Sequence, residues 1–299
     1  MATTKKKTFE LFVPGRICLL GEHPDWPASY RRFNKDIVPG MCLVSGTNQG
    51  LFARCSHHPD PLVINTSDLF GNRNAPESIA MTPQALLAVA ATGGHLSYVA
   101  GVAYQIMIRY QVQGLVIDNY RTDLPLRKGL SSSAAVCVLA ARAFNRGYDL
   151  KMTVRGEMDL AYHGEITTPS ACGRMDQCCA FGARPVRMIF DGDRLDCEEF
   201  TLGATMHIVI VELAGQKDTT QILQKLSKCY PVAETAEEKD PRDYGMKTNG
   251  VSVKSYRTTV SSNTKKPRCK KIASSHDVHM SPHTNGTACI SVAKGRARK

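Results

Sequence analysis

No apolar run in this chain approaches the roughly 18 residues that a membrane-spanning helix needs, so no span is expected. Lys5, Lys6 and Lys7 lie near the start, but no apolar stretch follows them, which argues against a secretory signal. The eleven cysteines include no CxxC pair and no small-domain disulfide spacing. In a chain of 299 residues they read as free thiols in a reducing compartment, and a cytoplasmic location is expected. Cys172, Cys178 and Cys179 cluster without partner histidines, so a metal site built on them is not expected. Two nucleotide signatures are missing as well. Without GxxxxGK[ST] the chain is not a Walker-type NTPase, and without the HRD and DFG set it is not a protein kinase.

Acidic residues are scarce in one region only. Residues 241–299 hold 13 of the 38 Lys and Arg but 2 of the 27 Asp and Glu, and the rest of the chain carries 25 of each sign. The net charge of +11 therefore describes a tail, and the neutral body gives no reason to expect a nucleic-acid partner. Beyond Pro231 hydrophobic periodicity stops while Ser, Thr, Asn, Lys and Pro accumulate, so residues 232–299 read as a basic, disordered tail. KKPRCKK (265–271) has the composition of a nuclear-import or polyanion-binding cluster, although most such clusters are simply solvated. Cys269, His276, His279, His283 and Cys289 match no standard zinc-finger spacing.

What is present is organised around PLRKGLSSSAA (125–135), which runs directly into VCVLAARAFNRGY. Small residues give way to helix formers, so a tight loop should feed a helix. Gly129 permits backbone angles closed to other residues, and the serines offer N-cap oxygens to the amides of the first turn. Val136, Leu139, Ala140, Ala143 and Phe144 recur at helical spacing, which predicts one buried face. Exposed amides, hydroxyls, the positive end of a helix dipole and the Lys128 charge would together suit a phosphate chain. Serine- and glycine-rich helix starts also occur with no ligand at all, so the loop alone leaves both readings open.

Two further stretches carry polar groups that packing does not explain. FELFVPGRICLL (9–20) reads as two short strands broken at Pro14-Gly15, and it runs into Gly21-Glu22-His23-Pro24-Asp25-Trp26. Such a cluster is usually a solvated turn. Later, EITTPSACGRMDQ (165–177) places Glu165 about one dozen residues before Asp176, where Asp176 could cap the short run QCCAF. Between these, Leu62–Ile64 reads as a strand, and Pro83 to Gln111 as two helices, the second over about 96–110. Leu115–Asn119 reads as a strand and Thr153 as the cap of a helix ending near Gly164. Residues 185–191 and 206–213 read as strands, and KDTTQILQKLSKC as an amphipathic helix.

Taken in order, these three stretches resemble the GHMP kinases, the superfamily of galactokinase, homoserine kinase, mevalonate kinase and phosphomevalonate kinase. Pro-x-x-x-Gly-Leu-Ser-Ser-Ser-Ala-Ala is similar to their phosphate loop. Gly-Arg16 leading to Gly-Glu22-His23-x-Asp25 is similar to the galactokinase signature, with Cys18 in place of Asn and Trp26 in place of Tyr. Met-Asp176-Gln with its upstream Glu165 is similar to the galactokinase stretch that ends in Met-Asp-Gln, and the resemblance also implies a strand pair over 37–55. The resemblance implies an α+β chain with the GHMP kinase fold over 1–203, its N-terminal domain like the second domain of ribosomal protein S5. A partial, divergent ferredoxin-like C-terminal domain would follow over 204–231. It implies ATP-dependent phosphorylation of a sugar hydroxyl, with mevalonate as a less fitting acceptor because Glu-His-x-Asp is the sugar-type pattern. Lys128, Gly129, Leu130, Ser131, Ser132, Ser133 and Ala134 would hold the ATP phosphates, and Ser133 with Glu165 would hold Mg²⁺. Asp176 would take the proton of the acceptor hydroxyl, and Arg16 beside it would offset charge on the transferring group. Glu22, His23 and Asp25 would grip sugar hydroxyls.

The family's third, glycine-rich stretch (Gly-x-Gly-x-Gly-Gly) has no counterpart in this sequence. Either the C-terminal half is divergent and shortened, or the last segment is not the family's own, as an altered reading frame or unspliced sequence would give. An open phosphate site has less electrostatic leverage on a transition state. A sugar- or nucleotide-sensing protein with little or no turnover is therefore the alternative to an active kinase.

Overall fold

The structure is a computed structural model that describes residues 8–21, 24–125, 129–170, 172–202, 207–211, 228–235, 239 and 289–293. The chain forms two compact units that interleave in sequence. The first comprises Met1–Ile17 and Val44–Val186, the second Cys18–Leu43 and Arg187–Lys299. This division by packing is not sequential, whereas the boundary expected from sequence near residue 203 is.

In the first unit, helices lie with a sheet ordered β4-β3-β5-β2, and β1 pairs with β2. These strands are β1 (Thr8–Leu20), β2 (Gly40–His57), β3 (Leu62–Asn65), β4 (Glu77–Ile79) and β5 (Leu115–Thr122). β2 and β5 run antiparallel from Leu51↔Thr122 to His57↔Leu115, with a bulge between Phe52 and Ala53, while β3 and β5 are parallel. The two strand pairs expected over 9–20 and 37–55 are each one long strand instead. Gly15, at the expected break, and Gly50 mark close approach instead. A Cβ on Gly15 would lie 2.9 Å from the Leu130 carbonyl oxygen, and one on Gly50 would lie 2.3 Å from that of Val13. Both positions stay extended because another piece of backbone passes over them.

The helices of this unit are α2 (Pro83–Ala91), α3 (Ser97–Met107), α4 (Ser132–Tyr148) and α5 (Val154–Ile166), followed by a 3₁₀ helix, Asp176–Phe181. Their starts follow local chemistry. Thr82 Oγ1 accepts from the Ala85 amide with Pro83 opening α2, and Thr153 Oγ1 accepts from the Gly156 amide. α3 packs on α2, α4 and α5, and α4 also touches α5, the 3₁₀ helix and β5. Being covered on several sides, α4 is buried well beyond the single face expected. Ala135, Cys137, Val138 and Ala141 are enclosed along with Leu139, Ala140, Ala143 and Phe144, while Val136 is only half-buried.

Two glycines set the crossing of α3 and α5. A Cβ on Gly101 would stand 2.3 Å from the Gly164 carbonyl oxygen, and one on Gly164 would stand 2.3 Å from Val102 Cγ2. The helices can meet this closely only because neither residue has a side chain. A second lock joins α4, α5 and the 3₁₀ helix. Arg142 Nε donates to Glu157 Oε2 at 2.8 Å, Arg142 Nη2 donates to the Ala180 carbonyl at 2.6 Å, and Asn145 Nδ2 donates to Glu157 Oε1 at 2.8 Å.

In the second unit, α1 (Asp25–Ser29) and the turn after it are tied to β6 (Val186–Asp191) and β7 (Arg194–Glu199). Arg31 pairs with Asp191, Arg32 pairs with Asp193, and the Gly192 amide donates to the Ala28 carbonyl. Tyr30 stacks on Tyr230 with ring centroids 5.7 Å apart, over a small core of Ile37 and Cys229. β8 (His207–Val211) pairs antiparallel with β9 (Cys289–Ala293). The sequence reading draws no element in the tail that contains β9, because five residues with polar flanks give no readable period. The helix expected over KDTTQILQKLSKC lies almost wholly outside the described residues. Among the described residues, no helix is long and apolar enough to cross a membrane.

Candidate active site

The site is built where β1 runs past the start of α4. The Arg16 amide donates to the Leu130 carbonyl at 3.0 Å, which pins the strand to the loop. Gly129 has φ +77°, a region open to glycine and strained for other residues, although a Cβ there would meet nothing within 4 Å. Its requirement is conformational. Ser131 follows in the left-handed region as well, with φ 57° and ψ 46°. It makes no capping bond to the helix, contrary to the expectation for the serines. Its Oγ accepts from Arg16 Nε at 3.1 Å instead. The first-turn amides of α4 are thereby left without a side-chain cap from Ser131, as a helix end that receives an anion would need.

Arg16 is 4 % exposed, and its Nη2 donates to Asp176 Oδ1. Asp176 therefore does not cap QCCAF. It opens the 3₁₀ helix itself, and its carboxylate turns to the guanidinium. One buried arginine thus joins strand, loop and carboxylate. On the inner side, the Ser133 hydroxyl donates to Glu165, Gln177 Nε2 donates to Glu165 Oε2 at 2.8 Å, and the Cys172 thiol also donates to that carboxyl. Glu165 is 1 % exposed. Burial pushes its carboxyl up to about 7, and the nearby Asp176 charge adds to the rise, while the three donors partly offset it.

This shift has a measurable consequence. An acid whose pKa is higher in the folded than in the unfolded chain favours folding most when it is protonated in both. Its contribution is complete below about 4.5 and is lost as pH rises through about 7. At 1.36 kcal/mol per unit, the loss is roughly 3 kcal/mol for this one group. Urea unfolding of the protein without divalent cations should show stability falling between pH 5 and 8, and Glu165→Gln should flatten that slope. An equal slope in the variant would trace the pH dependence to other groups.

The sequence-predicted residues fall into three sets. Arg16, Gly129, Leu130, Ser131, Ser132, Ser133, Ala134, Glu165 and Asp176 all belong to the first unit, and contacts link Arg16 with Leu130, Ser131 and Asp176, and Ser133 with Glu165. Asp25 is in the second unit, where it begins α1 and is 7 % exposed. Lys128, Glu22 and His23 lie outside the described residues. Gln177 is an addition that the sequence reading does not assign. Its signal there is its place beside Asp176 in the Met-Asp-Gln stretch, ahead of the apolar run CCAF.

Residues 97–183, which span α3 to the 3₁₀ helix, match the family description "GHMP kinases N terminal domain". Over this stretch the chain is similar to the GHMP kinases. The galactokinase of Thermotoga maritima is 25% identical over 238 residues, covering 77% of this chain and 61% of that protein. The chain thus spans about three fifths of that relative's length. Its fold is shared with a solved galactokinase from Lactococcus lactis complexed with galactose, at TM-score 0.58 and 18% identity, covering 75% of this chain and 55% of that one. The mevalonate kinase of Methanococcus jannaschii matches at TM-score 0.59 and 12% identity, covering 85% and 74%.

Proposed function

We propose that this chain transfers the γ-phosphoryl group of ATP to a hydroxyl group of a sugar. The observation that carries the reading is the junction of Arg16 with Ser131 at the mouth of α4 and with Asp176 on the 3₁₀ helix. An anion-receptive helix start and a carboxylate held by the same guanidinium are what phosphoryl transfer asks of a protein, since the reaction depends on positioning and charge stabilisation.

In this reading, the amides around Leu130 to Ala134 bind the phosphates, with Lys128 adding charge. Asp176 accepts the proton of the attacking hydroxyl, and Arg16 orients that carboxylate and offsets charge on the group in transit. Ser133 and Glu165 fit a magnesium ion. Both offer oxygen, the hydroxyl already bonds the carboxyl, and a carboxyl kept partly protonated by burial is one that a divalent cation would ionise. When bound, Mg²⁺ neutralises phosphate charge. Glu22, His23 and Asp25 supply acceptors and donors to the sugar, as the galactokinase likeness suggests.

A coupled ADP-release assay over a panel of hexoses tests the reading. Turnover with a sugar, absent with mevalonate and homoserine, is the expected result. Binding of nucleotide and sugar without turnover would select the sensor instead, which the absence of a Gly-x-Gly-x-Gly-Gly stretch from the sequence favours.

A further inference from the structure

The first two residues of the 3₁₀ helix serve opposite sides. Asp176 turns to Arg16 with its side chain 29% exposed, whereas Gln177 points inward and is 0% exposed. Gln177 Nε2 donates to Glu165 Oε2 at 2.8 Å and lies 3.7 Å from Cys172 Sγ, so both amide hydrogens have acceptors. With Glu165 ionised, as a bound cation requires, turning the amide over would set its carbonyl oxygen against a carboxylate oxygen, which fixes the orientation. The other end is unusual. Among the described residues, Gln177 Oε1 is buried with no hydrogen-bond partner. A buried acceptor without a donor lowers stability, and a methionine or leucine of similar volume would avoid that loss. The Nε2 end is accounted for by its bond to Glu165, but packing gives no reason for a buried oxygen at the other end.

We propose that Gln177 is a positioning residue of the cation site, an assignment that rests on the reading of Ser133 and Glu165 as magnesium ligands. Its Nε2 fixes the direction of the Glu165 carboxylate, and its Oε1 is the acceptor for a donor that arrives with the cation, whose retained waters are donors. Because Gln177 follows Asp176 directly, one short turn also sets the spacing between the proton-accepting and the cation-binding carboxylates.

The test compares the full chain with Gln177→Met, measuring ADP affinity by calorimetry with and without Mg²⁺, together with thermal unfolding of the ligand-free protein. Metal-free ADP affinity should be unchanged, and a cooperative unfolding transition shows that the variant is folded. The gain in affinity on adding Mg²⁺ should fall about tenfold. Gln177→Asn, which stays polar but ends one methylene short of Glu165, should show the same loss of gain. It decides the matter if Gln177→Met does not fold. A Mg²⁺ gain undiminished in the variants would overturn the assignment of Gln177 alone. A wild-type chain whose ADP affinity ignores Mg²⁺ would overturn the metal reading and this assignment with it.

Discussion

Asp176→Asn should lower turnover by about 10²–10⁴-fold, the range for removing a positioned general base. Nucleotide affinity should stay within about twofold, because the amides around Leu130 proposed to hold the phosphates belong to a different element. The asparagine keeps an oxygen for Arg16, so the link from β1 to the 3₁₀ helix survives and the loss isolates proton acceptance. ADP release measures the first quantity and calorimetry with an ATP analogue the second. A variant that turns over like the wild type would take Asp176 out of the chemistry. A variant that loses nucleotide binding equally would mean that the carboxylate supports the loop and does not act on the acceptor.

The largest effect on stability is expected at Glu157→Ala. Arg142 and Glu157 side chains are 12% and 7% exposed, so truncation leaves a guanidinium enclosed without its countercharge. Breaking one side of such a pair costs about 3–5 kcal/mol, a large part of the roughly 5–15 kcal/mol that typically separates folded from unfolded chains. Glu157→Gln, which keeps acceptors and donors for Asn145 and Arg142, should lose less. Chemical denaturation of the two variants gives the comparison. Since Arg142 also holds the Ala180 carbonyl, the weaker variant should lose turnover at temperatures where its helices remain formed. An unchanged midpoint in Glu157→Ala would show that water reaches and solvates the arginine.

Much of this arrangement is legible in the residues. Helices α2 to α5 follow from spacing, and Thr153 caps α5 as threonine does before a helix. Strands β3, β5, β6 and β8 follow from short runs of branched residues between polar ones. The grouping of Arg16, Ser131, Ser133, Glu165 and Asp176 within one unit is reached through motif order, because residues separated by 115 and 160 positions carry no local mark of contact. Other features have no local mark at all. Pro14-Gly15 resembles a turn when only the chain's own neighbours are considered, and the reason for the glycine, the Leu130 carbonyl, comes from far away. Arg142, Asn145 and Glu157 look like solvated helix positions until the helices are packed. Ser131, by its place in the sequence, should serve its own helix, but the buried guanidinium is the stronger donor.

The bare crossing of α3 and α5 ties evolution at one helix to chemistry at another. Glu165 is the next residue after Gly164, a rise of about 1.5 Å along the axis. A single methyl acquired at Gly101 would press on the Gly164 carbonyl and carry the Glu165 carboxylate with it. Drift at α3 is thus limited by a neighbouring helix, and an engineer redesigning α3 for solubility or stability would also be shifting the carboxylate proposed to hold the cation.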